Sequence, residues 1–130
     1  MNNPLDPWLD AETLARRLSR PGSRLIIVVG AEAWCHKCRD FRPIFDARSE
    51  LAAQNETWLW LDMEEHAEFI APYLPPDLPL LVCYEQTNLS NLQPLDSSES
   101  ALNKALSHPI IDPTEQDPGI RARLMQENWA

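Results

Sequence analysis

Cysteine, glycine and positive charge are all scarce in this chain, and each shortage narrows what it can be. Three cysteines in 130 residues are too few for the disulfide framework of a small secreted domain, and the odd count leaves at least one thiol unpaired. With three glycines the sequence carries no phosphate-loop, dinucleotide-binding or copper-chaperone motif, no internal repeat and no low-complexity tract. Eleven Lys+Arg stand against twenty Asp+Glu, a formal net charge of −9, which argues against nucleic acid or an anionic membrane surface as a partner. The longest strongly apolar run, Leu25 to Ala31, falls far short of the roughly 20 residues a membrane helix needs. The opening Met-Asn-Asn-Pro-Leu-Asp-Pro-Trp lacks the basic and apolar regions of a secretion signal. The expected setting is cytoplasmic and reducing, where two nearby cysteines serve redox chemistry or metal binding.

What is present is globular. Hydrophobic residues make up 44% and charged residues 24%, ordinary proportions for one domain able to bury a core. The charge is uneven: residues 1–50 sum to +1 and residues 51–130 to −10. That asymmetry is either a solvated acidic face or a surface selecting basic partners.

Asp6-Pro7 reads as an N-cap with proline at the first helical position, opening a helix with Leu9, Leu14 and Leu18 on one face. Pro21-Gly22 stops it. Arg24 to Gly30 is apolar without alternation, the pattern of a strand covered on both faces. A second helix is expected from Cys35 to about Gln54, with Phe41, Ile44, Phe45 and Leu51 inward and Pro43 bending it. Thr57 to Met63 forms the next strand, with Trp58 and Trp60 as core residues. Asp62 and Glu65 are spaced as a capping box for a short helix through Ala71. Leu74 to Pro79 is an extended connection, and Leu80 to Tyr84 another buried strand. A turn at Gln86–Asn88 leads to a weaker strand that Pro94 confines to an edge or an end. Ser97 to Ser107 reads as a helix with Leu102 and Leu106 inward. Beyond Pro109 the chain reads as a linker, with Asp117-Pro118 positioned to cap a last short helix bearing Ile120, Leu124 and Trp129. This order implies an α/β sandwich, its first strands parallel across a right-handed crossover and its last two a hairpin.

The chemistry concentrates in Ala33-Trp34-Cys35-His36-Lys37-Cys38, after a buried strand and at a helix start. There the helix N–H groups and the positive end of the dipole converge on the first cysteine and stabilise its thiolate. The second cysteine lies one turn on, close enough to attack the first sulfur. A strand–Cys-x-x-Cys–helix unit is therefore a dithiol/disulfide switch, with Cys35 the nucleophile and Cys38 the resolving thiol.

These residues resemble the thioredoxin family. Trp34-Cys35-x-x-Cys38 matches its Trp-Cys-x-x-Cys, Pro43 its helix-kinking proline, and Leu78-Pro79 before the strand from Leu80 its cis-proline. The likeness covers roughly residues 24–84. It implies a thioredoxin-like three-layer α/β/α sandwich with a mixed four- or five-stranded sheet, a domain over residues 1–108 and a C-terminal extension over 109–130. It also implies that Pro79 packs beside Cys35 and leaves the backbone of Leu78 free to pair with a substrate strand, unless Pro79 is an ordinary loop proline. Trp34 is a lid on the thiol or a half-exposed packing residue. The chain departs from the family at three points. His36 and Lys37 stand where thioredoxin has Gly-Pro, and either tune the thiolate or point into water. The family's buried acid is Val29 here, and its accompanying lysine is Trp60. Deprotonation of Cys38 must then use solvent or a carboxylate, Glu32 and Asp40 being nearest in sequence.

Cys83 reads as a small buried core residue, and His66 and His108 as solvent-facing. A zinc site lacks a second ligand pair at metal spacing. The resemblance implies a thiol–disulfide oxidoreductase, slow as a general reductase, acting without a bound cofactor. It would take a disulfide-containing protein client or a small-molecule disulfide, with electrons from a separate reductase or thiol pool. The competing reading is a partner-binding or assembly module on the same scaffold, its cysteines a redox sensor or a vestige.

Overall fold

The structure, a computed structural model, describes residues 6–71, 73–111 and 117–125. In chain order the elements are α1 (Ala11–Leu18), β1 (Arg24–Gly30), α2 (His36–Ser49), β2 (Glu56–Asp62), α3 (Ala67–Ile70), β3 (Leu80–Glu85), β4 (Asn88–Pro94), α4 (Glu99–Ser107) and α5 (Ile120–Leu124). The four strands make one mixed sheet in the order β2-β1-β3-β4. β1 and β2 run parallel, from Arg24 opposite Glu56 to Gly30 opposite Asp62, and α2 supplies the crossover that parallel pairing requires. β3 lies antiparallel to β1, with Leu25 opposite Tyr84 and Val29 opposite Leu80. β3 and β4 form the expected hairpin, with a register shift between Cys83 and Tyr84.

The two central strands are buried along almost their whole length, which is why both lack polar alternation. On β2 the tryptophans share one face, where Trp58 and Trp60 meet Phe45 of α2 at ring-centroid distances of 5.9 and 5.4 Å. Leu59 and Leu61, offset by one residue, serve the other face and are fully buried. The end of β1 must be glycine for a packing reason: a Cβ on Gly30 would lie 2.5 Å from Trp60 Cζ2 and 3.3 Å from Cys38 Cβ.

The last helix is held on this core. Ile120 and Leu124 join the main apolar cluster. Arg121 Nη2 donates to the Leu18 carbonyl at 2.8 Å and Arg123 Nη1 to the Phe69 carbonyl at 3.0 Å. Tyr84 donates its hydroxyl proton to Asp117 Oδ1 just before the helix. Trp129 lies outside the described residues.

Several expectations are corrected. α1 starts at Ala11, not after Asp6. Asp6 Oδ1 instead accepts from the Trp8 and Leu9 N–H groups and closes a turn, which leaves Leu9 86% exposed rather than on the helix face. α2 ends at Ser49, whose hydroxyl bonds back to the Asp46 carbonyl, so Leu51 falls beyond it and is 74% exposed. Asp62 caps a turn through the N–H groups of Glu64 and Glu65, and α3 begins only at Ala67. That turn folds His66 back onto the end of β2. His66 is buried, not solvent-facing: its Nδ1 accepts from the Asp62 N–H at 2.8 Å. His108 is exposed.

Candidate active site

Residues 31–35 carry the chain from β1 into α2. The Cys35 N–H donates to the Ala31 carbonyl at 2.8 Å, and Cys35 itself is the N-cap, in extended backbone conformation. Its sulfur accepts from the Cys38 N–H at 3.3 Å, so one of the four unpartnered amides of a helix start is met by sulfur rather than by a hydroxyl or carboxylate. Cys35 and Cys38 are joined as a disulfide, their Cα atoms 5.3 Å apart. Cys35 is half-buried and Cys38 fully buried, so only the outer sulfur has a path to solvent.

A groove of about 360 Å³ opens beside Cys35, walled by Trp34, Met63, Leu74, Pro75, Pro76 and Leu78. Trp34 is 61% exposed and lines the groove together with Cys35. The Leu78–Pro79 peptide is cis, and the Pro79 carbonyl accepts from the Leu95 N–H at 2.9 Å. The Leu78 N–H is engaged within the chain: it donates to Asp77 Oδ1 at 2.9 Å.

Both side chains between the cysteines have acidic neighbours. His36 Nε2 lies 3.3 Å from Asp40 Oδ2 and Lys37 Nζ 3.9 Å from Asp77 Oδ2, with all four groups more than half exposed. Their fields at the sulfur are therefore opposed locally and screened by solvent. The two carboxylates nearest Cys38 in sequence are also committed elsewhere, Asp40 to His36 and Glu32 to Arg42 Nη1 at 2.8 Å. Val29 is fully buried. Cys83 sits mid-strand in β3, where burial pushes its thiol up to about 12. Among the described residues no group of three or more His, Cys, Asp or Glu side chains is placed to hold a metal ion.

Two parts of the site have only a weak sequence signature. Met63 and Leu74 wall the groove but belong to segments that read as a strand end and a connection. Asp77 is one acid among twenty, and its placement beside Leu78-Pro79 is the sole hint of its contact.

No family model and no curated protein matches the sequence. Solved structures do match. The thioredoxin of Fasciola hepatica is similar with a TM-score of 0.61 at 19% identity, over 78% of this chain and 92% of that one. The germline-specific thioredoxin Deadhead of Drosophila melanogaster gives 0.63 at 14% identity, over 85% of this chain and all of that one. Schistosoma mansoni thioredoxin gives 0.59 at 17% identity, over 78% and 89%. The fold is that of thioredoxin. This thioredoxin fold carries its cysteine pair at the junction of β1 and α2, and no helix among the described residues is long and apolar enough to cross a membrane.

Proposed function

We propose that the chain is a cytoplasmic thiol–disulfide oxidoreductase in which residues 1–108 form the redox domain and 109–130 its C-terminal extension. The carrying observation is the contact between the Cys38 N–H and Cys35 Sγ at a helix start. An amide donor and the helix dipole both favour sulfur as the anion, the form that attacks disulfides.

In the reduced enzyme the Cys35 thiolate attacks one sulfur of a client disulfide. A mixed disulfide forms and the client's other sulfur leaves as thiolate. Cys38 then gives up its proton to solvent or to that leaving thiolate and attacks Cys35 Sγ. The Cys35–Cys38 disulfide closes and the second client sulfur departs. The client has gained two electrons and the enzyme has lost two, which a separate reductase or thiol pool restores. Trp34, Leu78 and Pro79 shape the client groove, while His36 and Lys37, partly offset by Asp40 and Asp77, tune the thiolate. The client is a disulfide-bearing protein; nucleic acid and membrane play no part, and no cofactor is needed.

Cys38 has no carboxylate of Glu32 or Asp40 to take its proton, since both are engaged elsewhere. Resolution is therefore slow, and insulin-disulfide reduction should run below the rate of an ordinary thioredoxin. The same feature, with the Leu78 N–H held by Asp77, favours a second reading as a partner-binding module. A Cys38→Ser variant separates them. An oxidoreductase accumulates mixed disulfides at Cys35 in lysate and shows a measurable Cys35–Cys38 potential, whereas the binding module traps none.

A further inference from the structure

The groove beside Cys35 is poor in main-chain donors that a client could use. Pro75 and Pro76 in its wall carry no N–H. The N–H groups of Trp34 and Cys35 both donate to the Ala31 carbonyl, at 3.2 and 2.8 Å, and that of Met63 donates to the Gly30 carbonyl at 2.8 Å. An extended peptide that docks as an added strand needs free main-chain partners, and these residues give it no donor. What they do offer is carbon surface: Trp34 is 61% and Leu74 81% exposed at the same groove, and covering such surface favours binding.

Two further donors of the wall converge on one residue. Asp77 Oδ1 accepts from the Leu78 N–H at 2.9 Å, and Asp77 Oδ2 lies 3.9 Å from Lys37 Nζ. Lys37, Asp77 and Leu78 all line the groove. The Asp77 side chain is 57% exposed, so the Leu78 amide is capped by a carboxylate at the solvent boundary, not by a partner deep in the core. Hydrogen bonds to a charged acceptor outweigh those to a neutral one. A client carbonyl, which is neutral and must be brought from solution, therefore does not displace a carboxylate already in place on the neighbouring residue.

We propose that Asp77 is a specificity-determining residue of the groove: it withholds the Leu78 N–H from an extended client backbone, so that clients are chosen by large apolar side chains beside their cysteine. The inference rests on the oxidoreductase function proposed above. Its test follows the reduced full chain with two neutral disulfides. Bis(2-hydroxyethyl) disulfide has no peptide backbone. The disulfide-linked dimer of acetyl-Gly-Gly-Cys-Gly-Gly-amide has a backbone and no flanking side chains. A changed thiolate moves both rates alike, so the ratio of the peptide rate to the hydroxyethyl rate is the readout. Asp77→Ala should raise that ratio about three- to ten-fold. Asp77→Asn, whose amide oxygen still accepts from the Leu78 N–H, should raise it less. Asp77 is exposed, so both variants should fold. By NMR the Leu78 amide should exchange with deuterium faster in Asp77→Ala than in the parent. Leucine in place of the two glycines flanking the peptide cysteine should speed the parent about five-fold or more, relative to the same peptides reacting with dithiothreitol. An unchanged ratio in Asp77→Ala, a Leu78 amide as protected as before, or leucine flanks that bring no gain would each overturn the inference and leave the oxidoreductase function standing. A reduced chain that reacts with neither disulfide would overturn both.

Discussion

Replacing Gly30 by alanine probes the joint between the sheet and the cysteine pair. The added methyl would sit 2.5 Å from Trp60 Cζ2, where ordinary van der Waals contact needs 3.4–4 Å, so the indole must retreat by about 1 Å in a close-packed interior. Its retreat is blocked. Phe45 lies edge-on at 5.4 Å and the Arg42 guanidinium covers the ring at 4.9 Å, itself tied to Glu32 and Asp46. Overpacking of this kind costs about 1–3 kcal/mol. The loss of unfolded-chain freedom from Gly to Ala returns about 0.4–1 kcal/mol, for a net loss of about 1–2 kcal/mol. Urea unfolding followed by circular dichroism measures it directly, and each kcal/mol should lower Tm by about 3–5 °C. In a Trp60→Leu background the same substitution should cost less by about 1 kcal/mol, because the clash has gone. A Gly30→Ala protein as stable as the parent, or equal costs in the two backgrounds, would refute the packing argument.

Two further perturbations test the core. Burial raises the Cys83 thiol from 9.0 to about 12, so the folded state keeps a proton that the unfolded chain loses. The corresponding stability is complete below pH 9 and is lost as pH rises from 9 towards 12. Cys83→Ala should flatten the fall of the urea midpoint over that range, and parallel curves for parent and variant would contradict the burial. Leu124 is 2% exposed on α5, so Leu124→Ala should cost about 2–5 kcal/mol by urea unfolding; a cost under about 1 kcal/mol would mean that α5 is not part of the core.

How far the sequence reveals this molecule depends on whether the cause is local. Arg24–Gly30 and Leu80–Glu85 are legible as buried strands because burial on both faces writes itself as an unbroken apolar run. The parallel β1–β2 pair and the β3–β4 hairpin follow from the helix between the first two strands and the short turn between the last two, whereas the antiparallel β1–β3 pairing that joins them has no local signature. The cysteine pair at a helix start is equally local. The misreadings all involve polar side chains whose partners lie elsewhere in the chain or in a tight turn. Asp6 and Asp62 carry cap chemistry, yet each closes a turn before its helix, and composition alone does not separate those uses. The burial of His66 has no local signature, because its neighbours are a backbone N–H four residues back and a carboxylate sixty residues away. The ties of α5 to Leu18, Phe69 and Tyr84 are long-range in the same sense, and no spacing in the sequence records them.

The most direct test of the account is the reactivity of the reduced cysteines taken one at a time. The protein is reduced, alkylated with limiting iodoacetamide between pH 5 and 8, and read by peptide mass spectrometry. The half-exposed Cys35, facing an amide at a helix start, should be labelled first and stay reactive well below pH 8, with Cys38 and Cys83 protected until the chain unfolds. Equal labelling of Cys35 and Cys38, or a Cys35 that reacts no faster at pH 6 than a thiol in the unfolded chain, would contradict it.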